Sequence, residues 1–419
     1  MKSVLIERSL LCAMLCFGAT FGALADESEE TTLFDPEGLF LSWQQDPLTT
    51  MTIDWNTVEA REAVVEYRVL GEEGYWLREE GVSFPFPFSE RTAHRVELTD
   101  LSPATTYEFR LGEDARVFRF ETMPENLVEP LHIAVGGDTR HSQAWMEATN
   151  EQARNLDVDF IIWGGDLAYA DGREENIARW YEWFDANKNT LITEEGRVIP
   201  VVLGIGNHEL QGGYYYNHED YEDSDNWRES VAPYFYTLFA FPGHPGYDVL
   251  DFGDYLSVIM MDSDHTNPIE GAQTEWLASV LEERRDVQHV LPVYHVPAYP
   301  GHRPFDGGVS TRVREHWVPL FEEYSVKVAF ENHDHVYKRT HPILNGEIDP
   351  NGIVFFGDGA WGVEPRSGHD VAETWYLRER ISVHHLILLT LQGSHQHLLT
   401  YDSEGNIIDS YPEGTARLD

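Results

Sequence analysis

Five short apolar runs in this chain each stop on a residue able to bind a metal, and this repetition constrains the fold most. The runs are Phe160-Ile-Ile-Trp-Gly-Gly-Asp166, Leu131-His-Ile-Ala-Val-Gly-Gly-Asp138, Ile199-Pro-Val-Val-Leu-Gly-Ile-Gly-Asn207, His289-Val-Leu-Pro-Val-Tyr-His295 and Val326-Lys-Val-Ala-Phe-Glu-Asn-His333. Each is too short for a helix, and its apolar stretch reads as a buried strand of an α/β sheet. Such sheets gather ligands beyond the carboxyl ends of their strands, and glycine lets the backbone turn sharply there. One such ending fits ordinary core packing. Five in register do not.

The segment ahead of these runs has a different rhythm. Leu39-Phe-Leu-Ser-Trp43, Met51-Thr-Ile-Asp-Trp55 and Ala63-Val-Val-Glu-Tyr-Arg-Val69 are short, aromatic or β-branched, and separated by turn residues. This cadence predicts an all-β sandwich over 39–124. Leu101, Pro103, Thr106 and Tyr107 resemble the corner of a fibronectin type III domain, where a tyrosine hydroxyl ties back to nearby backbone. From 125 to 419 apolar strands alternate with helix-like stretches such as Gln143–Asn155, Glu174–Asn187 and Gly271–Arg285, predicting an α/β domain. Gln211–Tyr236, rich in tyrosine and acid, reads as a long surface loop.

The N-terminus carries Lys2 and Arg8, an apolar run Leu10–Leu24 and the small-x-small ending Ala23-Leu-Ala25. Residues 1–25 therefore read as a cleaved secretory leader, with 26–38 an acidic linker. Both cysteines, Cys12 and Cys16, lie in that leader, so the exported chain would have no thiolate ligand and no disulfide. The formal net charge is −44. A field of that sign disfavours nucleic acid and anionic membrane as partners, and it repels anionic substrates unless metal ions reverse it locally.

Asp138, Asp166, Asn207, His295, His333 and His335 offer oxygen and imidazole nitrogen, a mixture suited to zinc, iron or manganese. Two metals about 3.5–4 Å apart need a shared anionic bridge, and such a pair clamps a phosphoryl group and activates water. Any one of the 19 histidines is by itself an ordinary side chain; the six residues taken together are not.

Gly137-Asp138, Gly165-Asp-Leu-Ala-Tyr169, Gly206-Asn-His-Glu209, Val293-Tyr-His295 and Asn332-His-Asp-His335 resemble, in order, the five metal-binding blocks of the purple acid phosphatases. These belong to the calcineurin-like metallophosphoesterases, and the resemblance runs from about Leu39 to the C-terminus. It implies an αββα catalytic domain of mixed sheets, with metals at the carboxyl ends of strands. It also implies ferric iron on Asp138, Asp166, Tyr169 and His335. A divalent zinc, manganese or iron would sit on Asp166, Asn207, His295 and His333, with Asp166 bridging. His208 would contact the phosphate or protonate the leaving oxygen, and Glu209 would orient its neighbours. His302 stands where the family often places a substrate-facing histidine; a solvated loop histidine is the alternative. The implied activity is hydrolysis of small phosphate monoesters, a metal-bound hydroxide attacking phosphorus in line. A diesterase or nucleotide-cleaving relative, or a non-catalytic adhesion protein keeping the fold, are the rivals.

Two positions depart from the family pattern. Asn332 replaces a glycine, and asparagine would serve if that position needs positive φ. Arg140 stands where a small residue is usual, free either to grip phosphate or to pair with an acid. His141 reads as a surface or supporting residue. Tyr214–Tyr216 reads as a packed loop base or as a substrate platform.

Overall fold

Strand Met51–Thr57 alternates apolar Met51, Ile53 and Trp55 with polar Thr52, Asp54 and Asn56, which by itself predicts one dry face and one wet face. The computed structural model, which describes residues 33–414 and 417, buries both. The apolar face joins a sandwich of two four-stranded antiparallel sheets. One holds Glu37–Ser42, Met51–Thr57, Thr92–Leu98 and Val82–Pro85 in that order; the other holds Leu77–Glu80, Val64–Val69, Thr106–Arg110 and Phe118–Glu121. The polar residues are covered yet partnered. Arg95 Nε donates to Asp54 at 2.7 Å and Arg95 Nη2 to the Leu238 carbonyl at 2.8 Å, while Arg91 reaches Asn56 at 3.0 Å. The expected corner is present: the buried Tyr107 hydroxyl accepts the Ser102 N–H at 2.9 Å.

The α/β part has two mixed sheets. The first runs Val201–Leu203, Phe160–Trp163, Leu131–Gly136, His385–Gln392, His395–Asp402, Ile407–Tyr411. The second runs Asp248–Phe252, Leu256–Met261, His289–Tyr294, Val328–Phe330, Val354–Gly357, Tyr337–Thr340, Leu377–Ile381. Successive residues of a strand face opposite ways. Ile133 and Val135 accordingly join Val258, Val293 and Phe356 in one core, while Ala134 joins Trp163 and Trp183 in another. A third core gathers Ile259, Tyr294 and Ala329 with Leu277 and Val313 of helices Ala272–Glu283 and Gly308–His316. Sheet therefore packs on sheet with helices outside, the expected αββα order.

The two modules share their core. The Trp43 indole meets the Phe160 and Phe252 rings edge-on at 5.6 and 5.7 Å, and Phe40 stacks on Phe184 at 6.0 Å. Each such buried ring contributes roughly 1.5–3 kcal/mol. From Phe34 onward the chain forms one compact unit.

Helix Gln143–Asn155 spans the expected residues; Glu174–Asn187 becomes a short 3-10 turn and the helix Ile177–Thr190. Gln211–Tyr236 is not simply loop: it contains helix Asp225–Val231 and the start of Pro233–Leu238. Trp227, Val231, Tyr234, Phe235 and Leu238 are buried at helical spacing, a signal that the surrounding acids obscured. Among the described residues no helix is long and apolar enough to cross a membrane. The expected leader lies outside those residues.

Candidate metal centre

At the strand ends the backbone, more than the side chains, does the aiming. Asp138, Asp166, Tyr169, His333 and His335 have φ of 54°, 53°, 59°, 79° and 56°. Left-handed geometry at a non-glycine residue costs of order 1–3 kcal/mol and clusters at functional sites. Neighbouring glycines make the approach possible: a Cβ on Gly206 would lie 2.4 Å from Asp166 Oδ1, and one on Gly359 only 1.8 Å from Asp138 Oδ2.

These turns bring together two buried ligand groups that share one residue. Asp138, Asp166 and His335 form the first, and Asp166, His295 and His333 the second, the ligand atoms of each lying within 4.8 Å of one another. Tyr169 lies against the first, its hydroxyl 3.0 Å from Asp138 Oδ1 and 3.1 Å from His335 Nε2. In the second, His295 Nε2 lies 3.1 Å from Asp166 Oδ2 and 3.0 Å from His333 Nδ1. The Asn207 Oδ1, buried and without a hydrogen-bond partner, is an acceptor that a cation would satisfy. Buried carboxylate, imidazole, phenol and amide oxygen in two sets sharing one carboxylate suit a pair of transition-metal ions.

The surroundings fix these donors. His295 Nδ1 donates to the Gly164 carbonyl at 3.1 Å, which aims Nε2 at Asp166. Burial raises the Asp166 carboxyl, but His295 and His208 outweigh it and hold the group well below the usual range. Burial would lower His295; Asp166 and Asp138 instead lift it to about 9. Burial, then the Asp138 charge, push the Tyr169 phenol well above its usual value, a logic that a bound cation inverts. Burial and the Asp166 charge push Glu209 up to about 7.

His208 sits beside the clusters rather than in them. Its N–H donates to Asp166 Oδ1 at 2.7 Å, its ring lies 4.3 Å from the Tyr169 ring, and its Nδ1 is 2.6 Å from Asp171 Oδ1. Burial opposes its charge, yet Asp166 and Asp171 together raise its pKa. Asp171 is a partner that sequence reading missed, since only the fold brings it to His208.

His302 is half-buried, with Nδ1 2.5 Å from the Ser367 carbonyl. Arg140 pairs with Glu182 on helix Ile177–Thr190. His141 packs edge-on against Tyr169, the ring centroids 4.5 Å apart. Tyr214 is packed, stacked between Tyr216 and His265, and its hydroxyl is 3.4 Å from His333 Nε2. Asn332 does not take the positive φ allowed for it; His333 does. The Asn332 side chain instead fills the space beside Gly137 and Gly164, where an added Cβ would lie 2.4 and 2.0 Å from it, and donates to the Tyr294 carbonyl at 3.1 Å.

Comparison with known proteins agrees with this architecture. Residues 36–122 match the profile described as Purple acid Phosphatase, N-terminal domain, and 131–337 match Calcineurin-like phosphoesterase. Purple acid phosphatase 21 of Arabidopsis thaliana is 26% identical over 65% of this chain, which spans 60% of that relative's length. Acid phosphatase type 7 of Mus musculus is 24% identical over 94% of each chain. The purple acid phosphatase PPD1 of yellow lupin superposes with a TM-score of 0.74 at 18% identity, covering 90% of this chain and 74% of that one. PhoD gives 0.63 at 13% identity, covering 91% and 93%. Both modules match in order, on the same fold and around two ligand groups sharing one aspartate: the chain belongs to the purple acid phosphatases of the calcineurin-like metallophosphoesterases.

Proposed function

We propose that the protein is an exported, binuclear metal-dependent hydrolase of small phosphate monoesters. The observation that carries this reading is the pair of buried ligand groups meeting at Asp166, with the Asp171-held His208 beside them. Asp138, Asp166, Tyr169 and His335 would hold ferric iron, and Asp166, Asn207, His295 and His333 a divalent zinc, manganese or iron. When bound, the two ions polarise the phosphoryl group and activate the attacking water. The remaining work falls to the chain. Asp171 fixes the Nδ1 side of His208, which leaves Nε2 to deliver a proton to the departing alkoxide. Glu209 holds the backbone on which Asp166 is mounted. The sandwich, about 39–124, acts as a packed support for the catalytic part, about 125–419, and the leader 1–25 directs export.

Metal content and turnover, measured on one preparation with a monoester and a diester, test this. Two metals per chain and a higher kcat/KM for the monoester are expected. A metal-loaded chain that cleaves neither would mean the fold is kept for another purpose, and diester preference would replace the monoester reading.

A further inference from the structure

The loop Ala298–Arg303 follows the ligand His295, and a side chain holds its backbone at every residue. Glu331 Oε1 accepts from Ala298 N at 2.7 Å, Lys338 Nζ donates to the Tyr299 carbonyl at 2.7 Å, and the Tyr376 hydroxyl donates to the Pro300 carbonyl at 2.8 Å. Asp358 Oδ2 accepts from Gly301 N at 2.8 Å, and Asp334 Oδ2 accepts from His302 N and Arg303 N at 2.7 and 3.1 Å. Glu331, Asp334, Lys338 and Asp358 are all buried. Buried charges are costly unless paired, so a platform of four beneath one short loop calls for a reason in what the loop presents.

It presents Arg303. The Nη1 of this guanidinium donates to the His333 carbonyl and to Asp334 Oδ1, both at 2.7 Å, which locks the group against a metal-ligand residue. Its Nε and Nη2 make no hydrogen bond among the described residues, and the side chain is 36% exposed. The Nε–Nη2 edge is the one whose parallel N–H groups match two oxygens of a phosphate. The bond to the His333 carbonyl sets the guanidinium beside a residue of the second ligand group. Arg366 Nη1 also reaches the His333 carbonyl, at 3.4 Å, so two guanidinium groups meet an arriving anion here although the chain's net charge is −44.

We propose that Arg303 is a specificity-determining residue that binds the phosphoryl dianion and thereby favours monoesters over diesters. This rests on the phosphatase reading above. A monoester dianion has three terminal oxygens and, with one held at the metal site, would offer the guanidinium edge two. A diester has only two and one charge fewer, so the edge would keep a single, more weakly charged partner and meet the bulk of the second alcohol.

The test uses the full, metal-loaded chain with Arg303→Met and Arg303→Lys. An aryl monoester and the matching methyl aryl diester share one leaving group; calorimetric binding of inorganic phosphate and of dimethyl phosphate provides a readout independent of turnover. Arg303→Met is expected to lower monoester kcat/KM and phosphate affinity by about 10- to 100-fold. Diester turnover and dimethyl phosphate affinity should fall by several-fold less, so that the monoester-to-diester ratio drops, with metal content unchanged. Should the Met variant fail to fold, Arg303→Lys must still lower the monoester-to-diester ratio, because lysine lacks the fork. A parallel loss for both esters with falling metal content would make Arg303 a loop pin and overturn the proposal, as would an unchanged ratio. If the wild type cleaves neither ester, the functional reading fails, while phosphate binding still decides the role of Arg303.

Discussion

Glu209 holds Asp166 by the main chain: its Oε2 accepts the Asp166 N–H at 2.8 Å, and its Oε1 accepts that of Leu167 at 2.8 Å. The same Oε2 also takes the Gly206 N–H at 2.8 Å, so one carboxylate ties together two ligand-bearing strand ends. Glu209→Gln replaces an acceptor with a donor facing backbone N–H groups. Affinity for both metals should fall about 10- to 100-fold, read as metal retained against a graded chelator.

Asp166 belongs to both ligand groups, so Asp166→Ala should remove both metals together and abolish turnover. Elemental analysis checks this; one metal remaining at full occupancy with near-normal turnover would show that Asp166 is no bridge.

His208 lies outside both groups. His208→Ala should therefore keep the metals and slow turnover by about 10²–10⁴-fold, the range for losing a general acid. Loss of metal in this variant would place His208 among the ligands instead.

Tyr169 presents its hydroxyl to Asp138 and His335. A phenolate on ferric iron absorbs visible light, so Tyr169→Phe should bleach the protein while Asp138, Asp166 and His335 still hold some metal. Wild-type protein shown to contain oxidised iron, yet colourless, would remove Tyr169 from the ligand set.

Asp54 gives a pH signature far from the metals. Burial raises its pKa from 3.8 to about 6, against the opposing pull of Arg95. The folded chain then holds this proton more tightly than the unfolded one, so stability falls as pH rises from about 4 to 6. About two pKa units correspond to at most roughly 3 kcal/mol. Asp54→Asn should flatten the stability–pH curve in that window, measured by denaturant unfolding; an unchanged slope would mean that Asp54 stays ionised throughout.

The candidate ligands were legible because each terminates an apolar run, a local pattern that survives without knowledge of the fold. Asp138, Asp166, Asn207, His295 and His333 all fall within a few residues of a strand end. What escaped depends on contacts between distant segments. Asp171 means nothing until the fold sets it 2.6 Å from His208, and Glu182 is one acid among many until Arg140 reaches it. Asn332 shows as a backbone question in the sequence because Gly137 and Gly164 lie far from it along the chain; in the fold its side chain fills the space beside them. The polar face of Met51–Thr57 gave no hint of being covered, since Arg95, which holds Asp54, is itself bound by the Leu238 carbonyl more than a hundred residues away.

Trp43 sets an order of events during folding. Its partners Phe160 and Phe252 follow it by more than a hundred and roughly two hundred residues, so no amino-terminal fragment can complete this cluster as it emerges. The sandwich sheets pair locally, but their seam with the rest of the chain stays open until the second mixed sheet has its first strand. Until those contacts form, the apolar faces of Trp43, Phe160 and Phe252 lack their cover, and uncovered apolar surface in an incompletely packed chain is what aggregation acts on.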